Sequence, residues 1–351
     1  MATLKALLRQ PRSLVALLII VVTLITAVGA YTIAPDNSTH ANTIVPELAN
    51  KPAGFSIQVL LIKKGSNLTV NGNWWQGYQY PYTLQPIEKI IRTTPTNIIV
   101  QRYVDDGVTD TLTVPLVQLY KPLPQQLLFR LGSDKFGRDV LSRLIIGTRV
   151  SISVGCIAVV ISLLLGVCLG SIAGYFGGNI DTVVQWLVNV MWSIPTLLLV
   201  FALTLLLGKG FWQVFVAVGL TMWVGVARLV RGQVLAVKNL TYIEAAKILG
   251  LPHYIIILKH ILPNIAGPIL VLAASNFASA IVIEAGLSFL GIGVQPPQPS
   301  WGLMMKENYN FIITNKPLLA LAPGIAIMLL VLAFNLLGNA LRDVFDVSTN
   351  H

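Results

Sequence analysis

Long stretches of this sequence carry no charged residue, and they constrain the fold more than any other feature. They include residues 150–180, 182–208, 210–227, 261–283, 285–305 and 317–341. Only 11% of the 351 residues are charged and 55% are hydrophobic, whereas soluble domains have about 25% charged residues. So few charges cannot cover so much apolar surface in water. The sequence therefore predicts an all-α polytopic membrane protein, and it excludes disordered and collagen-like chains.

A membrane-spanning helix needs about 20 mainly apolar residues, and six segments meet that requirement. The predicted spans are at about 13–33, 150–175, 182–206, 211–229, 264–290 and 317–341. The first span could instead be a cleaved signal peptide, because Lys5, Arg9 and Arg12 precede it. Its apolar run from Leu14 to Tyr31 is longer than the roughly 7–15 residues of a signal core, which favours a retained anchor.

Basic residues beside the spans predict the orientation of the chain. The short loops on one side hold three basic residues, Lys209, Lys306 and Lys316, and the other side holds nine when its flanks are included. An excess of Lys and Arg marks the cytoplasmic side, so both termini are predicted to be cytoplasmic. The net charge of +10 follows this pattern. There is no basic stripe with interleaved aromatics, which argues against a nucleic-acid partner.

Residues 34–130 differ from the rest because they have the composition of a soluble domain. Three runs rich in β-branched residues are predicted to be strands: 56–62, 97–103 and 111–117. The sequence thus predicts a β-rich extracytoplasmic insert between the first and second spans, followed by an outer amphipathic segment at 131–149. Aromatic residues at 73–78 and 80–82 either pack in a small core, lie at the membrane interface or form a surface that docks a ligand.

The inner loop at 230–263 contains the most informative local pattern. Thr241 and Glu244 have capping-box spacing, which predicts a helix start, and Gly250 predicts its end because glycine readily adopts the left-handed conformation. In the resulting helix at about 242–249, four residues share one face: Tyr242, Ala245, Ala246 and Leu249. Two central alanines would let another protein approach closely. Alternatively, Glu244 is only a cap and the loop only a connection.

Three motifs carry a resemblance to a known family. Glu244-Ala245-Ala246, with Gly250 and the downstream 260–263 (His-Ile-Leu-Pro), resembles the EAA loop of binding-protein-dependent ABC importer permeases. Segment 132–151 resembles the outer signature of its peptide/nickel branch, and segment 284–302 is a third match to that branch. The resemblance covers about residues 131–343. The sequence departs from the family pattern at Ser133, where Thr is usual, and at Asn339, where an acidic residue is frequent.

The resemblance implies a type I ABC importer permease bundle, as the C-type subunit of a dipeptide/oligopeptide permease pair in the bacterial cytoplasmic (inner) membrane. It also implies a sister permease, two ATPase subunits that bind ATP and Mg, an extracytoplasmic substrate-binding protein, a peptide substrate and surrounding lipid. Nickel or another small solute is an alternative cargo. The implied ATPase-coupling residues are Tyr242, Glu244, Ala245, Ala246, Leu249 and Gly250. The expected divisions are 1–33, 34–130, 131–149, 150–343 and 344–351.

Polar residues inside the apolar stretches are candidates for a pathway. Asp181, Gln185, Asn189 and Ser193 recur every fourth residue, and such a stripe either lines a transport pathway or bonds a neighbouring helix. Glu284 either meets a peptide amine in a cavity or pairs with a neighbouring helix or the partner permease. The candidate pathway residues are Gln185, Asn189, Ser193, Asn276 and Glu284. Gly166, Gly170 and Gly174 have the spacing that allows close helix contact.

The sequence lacks the local signatures of catalysis. It contains no P-loop, no His/Cys/Asp/Glu cluster with metal spacing and no nucleophile–base arrangement, so we expect neither a catalytic site nor a bound metal or cofactor in this chain. An ion-coupled secondary transporter that uses Glu284 and Asp181 is disfavoured because no internal repeat is evident. A receptor with 34–130 as its sensor would explain neither the polar stripe nor the inner motif.

Overall fold

The computed structural model describes residue 7 and residues 10–65, 69–208, 210–313 and 316–349. The chain divides into two compact units, each described here by itself. One unit combines Ser151–Gln295 with the two ends of the chain, and the other combines Ile25–Val150 with Pro296–Ile325. Lys5, Arg9 and Lys209, which carry part of the orientation prediction, lie outside the described residues.

The described residues form eleven α-helices, and five of them are long and apolar enough to cross a bilayer. These five helices are α1 (Pro11–Val28), α3 (Val140–Phe176), α6 (Phe211–Val237), α9 (Ala266–Leu290) and α11 (Leu318–Thr349). The shorter helices are α2 (Ala30–Ile33), α4 (Gly178–Trp192), α5 (Thr196–Leu207), α7 (Thr241–Ile248), α8 (His253–Ile255) and α10 (Trp301–Asn308). A π-helix at Ile256–Ile261 continues α8.

The predicted third span, at 182–206, is not one straight helix. It consists of α4 and α5, which meet at an angle of 92°. Pro195 precedes α5, and proline both lacks a backbone N–H and disfavours the helical conformation of the residue before it. The described helices therefore provide six spans only if this bent pair counts as one.

The helix of the predicted second span begins ten residues earlier than expected. It starts at Val140 and has 37 residues, a length of about 55 Å, which exceeds the roughly 30 Å of a bilayer core. Asp139 caps its start, since Asp139 Oδ2 accepts a hydrogen bond of 2.8 Å from the Ser142 backbone N–H. The predicted outer segment at 131–149 is therefore a loop followed by the first turns of α3.

Close contact between α3 and α6 depends on the small residues of α3. A Cβ atom on Gly170 would lie 2.5 Å from the Ala227 carbonyl oxygen, and one on Gly166 would lie 2.4 Å from Val226 Cβ. These distances leave no room for a side chain. The predicted close helix contact is confirmed.

The β-rich insert consists of two antiparallel sheets, one of five strands and one of two. The five-stranded sheet has the order β6-β5-β4-β1-β7 and the other pairs β2 with β3. The strands are β1 (Phe55–Lys63), β2 (Asn71–Asn73), β3 (Gly77–Gln79), β4 (Tyr82–Thr93), β5 (Asn97–Asp105), β6 (Val108–Pro115) and β7 (Gln125–Phe129). Leu60, Ile87 and Val100 lie in its buried core.

All three strand predictions correspond to strands of this sheet, β1, β5 and β6, but sequence analysis missed β4 and β7. β4 is the longest strand and lies in the middle of the sheet. It contains Pro86, paired with Val59, and proline normally argues against a central strand. The irregular register between β4 and β5 just after Pro86 shows how the sheet accommodates it.

Candidate functional site

The helix of the inner motif, α7, starts differently from the prediction. Leu240 is its N-cap, in an extended conformation, and no side chain caps the helix. The Leu240 carbonyl accepts from the N–H groups of Ile243 and Glu244 at 2.9 and 3.2 Å. Thr241 is already the first helical residue, so its hydroxyl is not in the capping position. The predicted capping box is therefore wrong.

The end of α7 is as predicted. Gly250 has a φ of +71°, in the left-handed region that favours glycine. The Leu251 N–H donates to the Ala246 carbonyl at 3.2 Å and the Gly250 N–H donates to the Lys247 carbonyl at 3.0 Å. Together these bonds form a Schellman motif, which satisfies the last carbonyl groups of the helix. Nothing lies within 4 Å of a Cβ placed on Gly250, so the requirement is one of backbone conformation.

The predicted shared face of α7 is only partly correct. Ala246 is 5% exposed and packs with Ile243, Val230, Ile256 and Ile261 in one buried cluster. Ala246 therefore anchors the helix to its own unit and is not available for docking. Sequence analysis overlooked Ile243, whose spacing of three residues from Ala246 was the signal for a buried stripe.

The outward side of α7 carries apolar residues that the described part of the chain leaves exposed. Glu244 and Ala245 are exposed, and Ile248 and Leu249 are 86% and 80% exposed. We call Glu244, Ala245, Ile248 and Leu249 the outward face. Two adjacent large apolar side chains therefore lie exposed at the end of the helix.

Side-chain contacts hold the flanks of α7. Asn264 Nδ2 donates to the Tyr242 hydroxyl, and Lys247 Nζ lies 5.6 Å from the centroid of the Tyr175 ring. The Tyr175 hydroxyl is 2.9 Å from His253 Nδ1. Sequence analysis predicted neither the contact of Tyr175 nor that of Asn264, because both residues are distant from α7 in sequence. These contacts, with the buried cluster, fix the helix rigidly at the end of α3.

Two members of the polar stripe on α4 bond to arginines of α6. Arg231 Nε and Nη2 donate to the two Asp181 carboxylate oxygens, each at 2.5 Å, and Arg228 Nη2 donates to Asn189 Oδ1 at 3.4 Å. Ser193 donates to the Val190 carbonyl of its own helix at 2.7 Å. Asp181 and Asn189 therefore bond to a neighbouring helix, which is one of the two alternatives predicted for the polar stripe.

Glu284 is completely buried. Its Oε1 accepts a hydrogen bond of 2.6 Å from Ser288 Oγ, which in turn accepts from the Val294 N–H at 3.0 Å. This chain of bonds ties α9 to the loop that follows it. The burial of Glu284 and its bond to Ser288 favour a structural role over direct contact with a substrate. Asn276 lies two turns earlier on the same helix and is half-buried.

The outer motif at 132–151 builds a buried ion network. Asp134 Oδ2 accepts from Arg138 Nε at 2.7 Å, and Glu307 accepts from Arg138 Nη2 at 2.9 Å and from Arg143 Nη2 at 3.4 Å. Ser133, the departure from the family pattern, accepts from the Lys51 N–H at 2.8 Å and donates to the Leu48 carbonyl at 2.5 Å. The motif thus organises the unit that contains the insert. Its partner Glu307 was not identified from sequence.

The aromatic residues of the insert form two separate clusters. Trp74 and Trp75 are half-exposed, and the Arg149 guanidinium lies 4.2 Å from the Trp75 ring centroid and 4.9 Å from that of Tyr31. Tyr78, Tyr80 and Tyr82 form a ladder in which the last two rings stack at 5.1 Å. Neither tryptophan is a core residue. Among the described residues, no group of three or more His, Cys, Asp and Glu is placed to hold a metal ion.

Comparison with known proteins places these features in context. The chain is 41% identical over 216 residues to the glutathione transport system permease protein of Pectobacterium atrosepticum, covering 62% of this chain and 71% of that protein. It is 42% identical over 215 residues to the dipeptide transport system permease protein of Bacillus subtilis, covering 61% and 67%. It is 38% identical over 237 residues to the oligopeptide transport system permease protein of the same organism, covering 68% and 77%.

A family model supports the same relationship. Residues 166–351, more than half of the chain, match the model of the binding-protein-dependent transport system inner membrane component. The match includes the inner motif and α9, and the family agrees with the helical permease bundle expected from the sequence. The three sequence motifs, the membrane helices and these relatives lead to one conclusion: the chain belongs to the family of binding-protein-dependent transport system inner membrane components and is a permease subunit of an ABC importer.

Proposed function

We propose that this permease subunit carries di- or oligopeptides across the bacterial inner membrane, with both termini in the cytoplasm. A sister permease would complete the pathway, a binding protein would deliver peptide from outside, and two ATPase subunits would bind and hydrolyse ATP. The relatives named for dipeptide and oligopeptide transport support the choice of cargo. The excess of basic residues beside the inner loops supports the orientation.

The observation that carries the proposal is the outward face of α7. Its apolar residues Ala245, Ile248 and Leu249 are exposed, while Ile243 and Ala246 fix the opposite side to the unit. A groove on an ATPase subunit would remove the exposed apolar area from water, at about 25 cal/mol per Å². Because the helix is held on its other side, a movement of the ATPase would move the attached membrane helices.

In this proposal, the coupling produces transport by shifting the permease pair between two conformational populations. ATP-driven closure of the ATPase subunits would favour one arrangement of the permease pair over the other, through contacts that α7 makes only in one state. The coupling residues of the proposal are Tyr242, Glu244, Ala245, Leu249 and Gly250, with Ala246 as the anchor. We retain Gln185, Asn189, Ser193, Asn276 and Glu284 as candidate pathway residues; the buried Glu284 and the bonded Asn189 would act by shaping the helices.

Uptake by the reconstituted complex tests the cargo. Proteoliposomes with both permeases, the binding protein and the ATPase subunits should accumulate a labelled tripeptide only when ATP is supplied on the ATPase side. Omission of the ATPase subunits should abolish uptake. Accumulation driven by an ion gradient without ATP would contradict the proposal and favour a secondary transporter. Uptake of nickel but not of peptide would show that nickel is the cargo.

A matched pair of substitutions tests the coupling helix. Ala245→Trp should prevent co-purification of the ATPase and abolish uptake while leaving the thermal stability of the permease unchanged, because the side chain projects from the outward face. Ala246→Trp should instead lower the melting temperature and the yield, because it overfills a closed cluster at a cost of about 1–3 kcal/mol. Normal ATPase binding and uptake with Ala245→Trp would remove the main support for the proposal.

A further inference from the structure

A cleft in the insert has the size and chemistry of a ligand site. Its volume is about 990 Å³, and it lies between the segment from Pro35 to Val45, the tyrosine ladder and strand β7. Pockets that hold small ligands usually have about 300–1,000 Å³. All of its lining residues belong to one unit. We call it the insert cleft.

Two carboxylates lie together at one wall of the insert cleft. Asp139 is 6% exposed; its Oδ2 accepts two hydrogen bonds from Ser142, and its Oδ1 is buried and accepts none among the described residues. Asp36 is joined to it through Ser142, whose hydroxyl accepts from the Asp36 N–H at 2.8 Å and donates to Asp139. Burial and the neighbouring Asp36 raise the pKa of Asp139. A buried acceptor without a donor is costly, so this wall is suited to a cationic donor.

Among the described residues, no Lys, Arg or His side chain donates a hydrogen bond to Asp139 Oδ1. The arginines nearest in sequence, Arg138 and Arg143, bond to Asp134 and Glu307, and the described residues show no ion pair to Asp36 or Asp139. The positive charges of Arg138 and Arg143 are therefore balanced by the negative charges of Asp134 and Glu307. The Asp36 carboxylate accepts from Ser38 and Thr43 and attracts Arg143, so the acceptor left open at this wall is Asp139 Oδ1. An ammonium group would satisfy that oxygen and would also be attracted by the neighbouring Asp36.

Aromatic rings and an edge strand also line the insert cleft. Tyr80 donates to Asn37 Oδ1 at 2.6 Å and stacks on Tyr82, which fixes both rings; burial and the adjacent tyrosines raise the pKa of Tyr82 to about 12. Such rings attract ammonium groups and apolar side chains. β7 is an edge strand of the five-stranded sheet and lines the cleft. The open edge of a strand can bond the backbone of an extended peptide.

We propose that the insert cleft binds the amino-terminal end of an extended peptide, with its ammonium group at Asp139 and Asp36 and its backbone along β7. The choice of a peptide among amines rests on the proposed function, whereas the amine requirement comes from the two carboxylates. The cleft would hold the peptide by its amino terminus and would reject peptides whose amino terminus is blocked.

Direct binding to the purified full chain tests this inference. Trialanine and N-acetyl-trialanine, titrated calorimetrically into the detergent-solubilised protein without ATPase or binding protein, should differ at least about tenfold in affinity, because acetylation removes a charged hydrogen-bond donor. Asp139→Asn should weaken trialanine binding by a similar factor. Asparagine also caps helices, so the melting temperature should not change. Asp110→Asn, the same chemical change at a residue outside the cleft, should leave affinity unchanged.

The outcomes separate this inference from the proposed function. Equal binding of the two peptides, equal binding by Asp139→Asn, or the absence of trialanine binding to the wild-type chain would each overturn the insert cleft as an amine site. ATP-dependent uptake by the complete complex would still establish peptide transport in any of these cases. Conversely, absent uptake with amine-dependent binding would overturn the transport proposal alone.

Discussion

The most demanding single position in the inner motif is Gly250, where backbone conformation alone decides which residue fits. Its φ of +71° costs other L-residues about 1–2 kcal/mol, less for asparagine and more for a β-branched residue. Gly250→Asn should therefore retain most ATPase co-purification and uptake, and Gly250→Val should lose both. Because the space around the site is open, equal effects of the two variants would show that the left-handed conformation is not what the helix end requires.

Among the secondary-structure elements, the contact between α3 and α6 gives a matched test of helix packing. Gly170→Ala should lower the melting temperature and the yield, since its Cβ would lie 2.5 Å from the Ala227 carbonyl oxygen. Gly232→Ala, on α6, has nothing within 4 Å of its Cβ and should be neutral or stabilising, because alanine favours a helix by about 1 kcal/mol over glycine. Circular-dichroism melts of both variants measure the difference. If both melt alike, the helices do not pack through Gly170.

The orientation of the whole molecule is tested by cysteine labelling. Cys156 and Cys168 are free and exposed in this chain, so both are first replaced by serine. Val117→Cys, at an 81% exposed position in the insert, should react with an impermeant maleimide on intact cells. Lys247→Cys, on α7, should react only after permeabilisation. The reverse pattern would place the insert in the cytoplasm and would contradict both the charge argument and the coupling role of α7.

Local physical chemistry determined what could be predicted from the sequence. Apolar stretches of about 20 residues predict most of the membrane helices, the left-handed requirement at Gly250 ends α7, and the spaced glycines of α3 permit a close helix contact. The three motifs identified the family for the same reason, since each is a short run of residues. None of these properties depends on what another part of the chain does.

Only the tertiary structure decided which side of each element is buried and which charges meet. Ala246 and Ala245 are adjacent alanines, and only the packing of Ile256 and Ile261 against Ile243 places the first inside and the second outside. Likewise Arg138 and Glu307 form an ion pair although they are 169 residues apart in the sequence. Asp36 and Asp139, the two carboxylates of the insert cleft, are also distant in sequence, and only folding brings them together. Burial and ion pairing depend on neighbours brought together through space, which short sequence patterns do not encode.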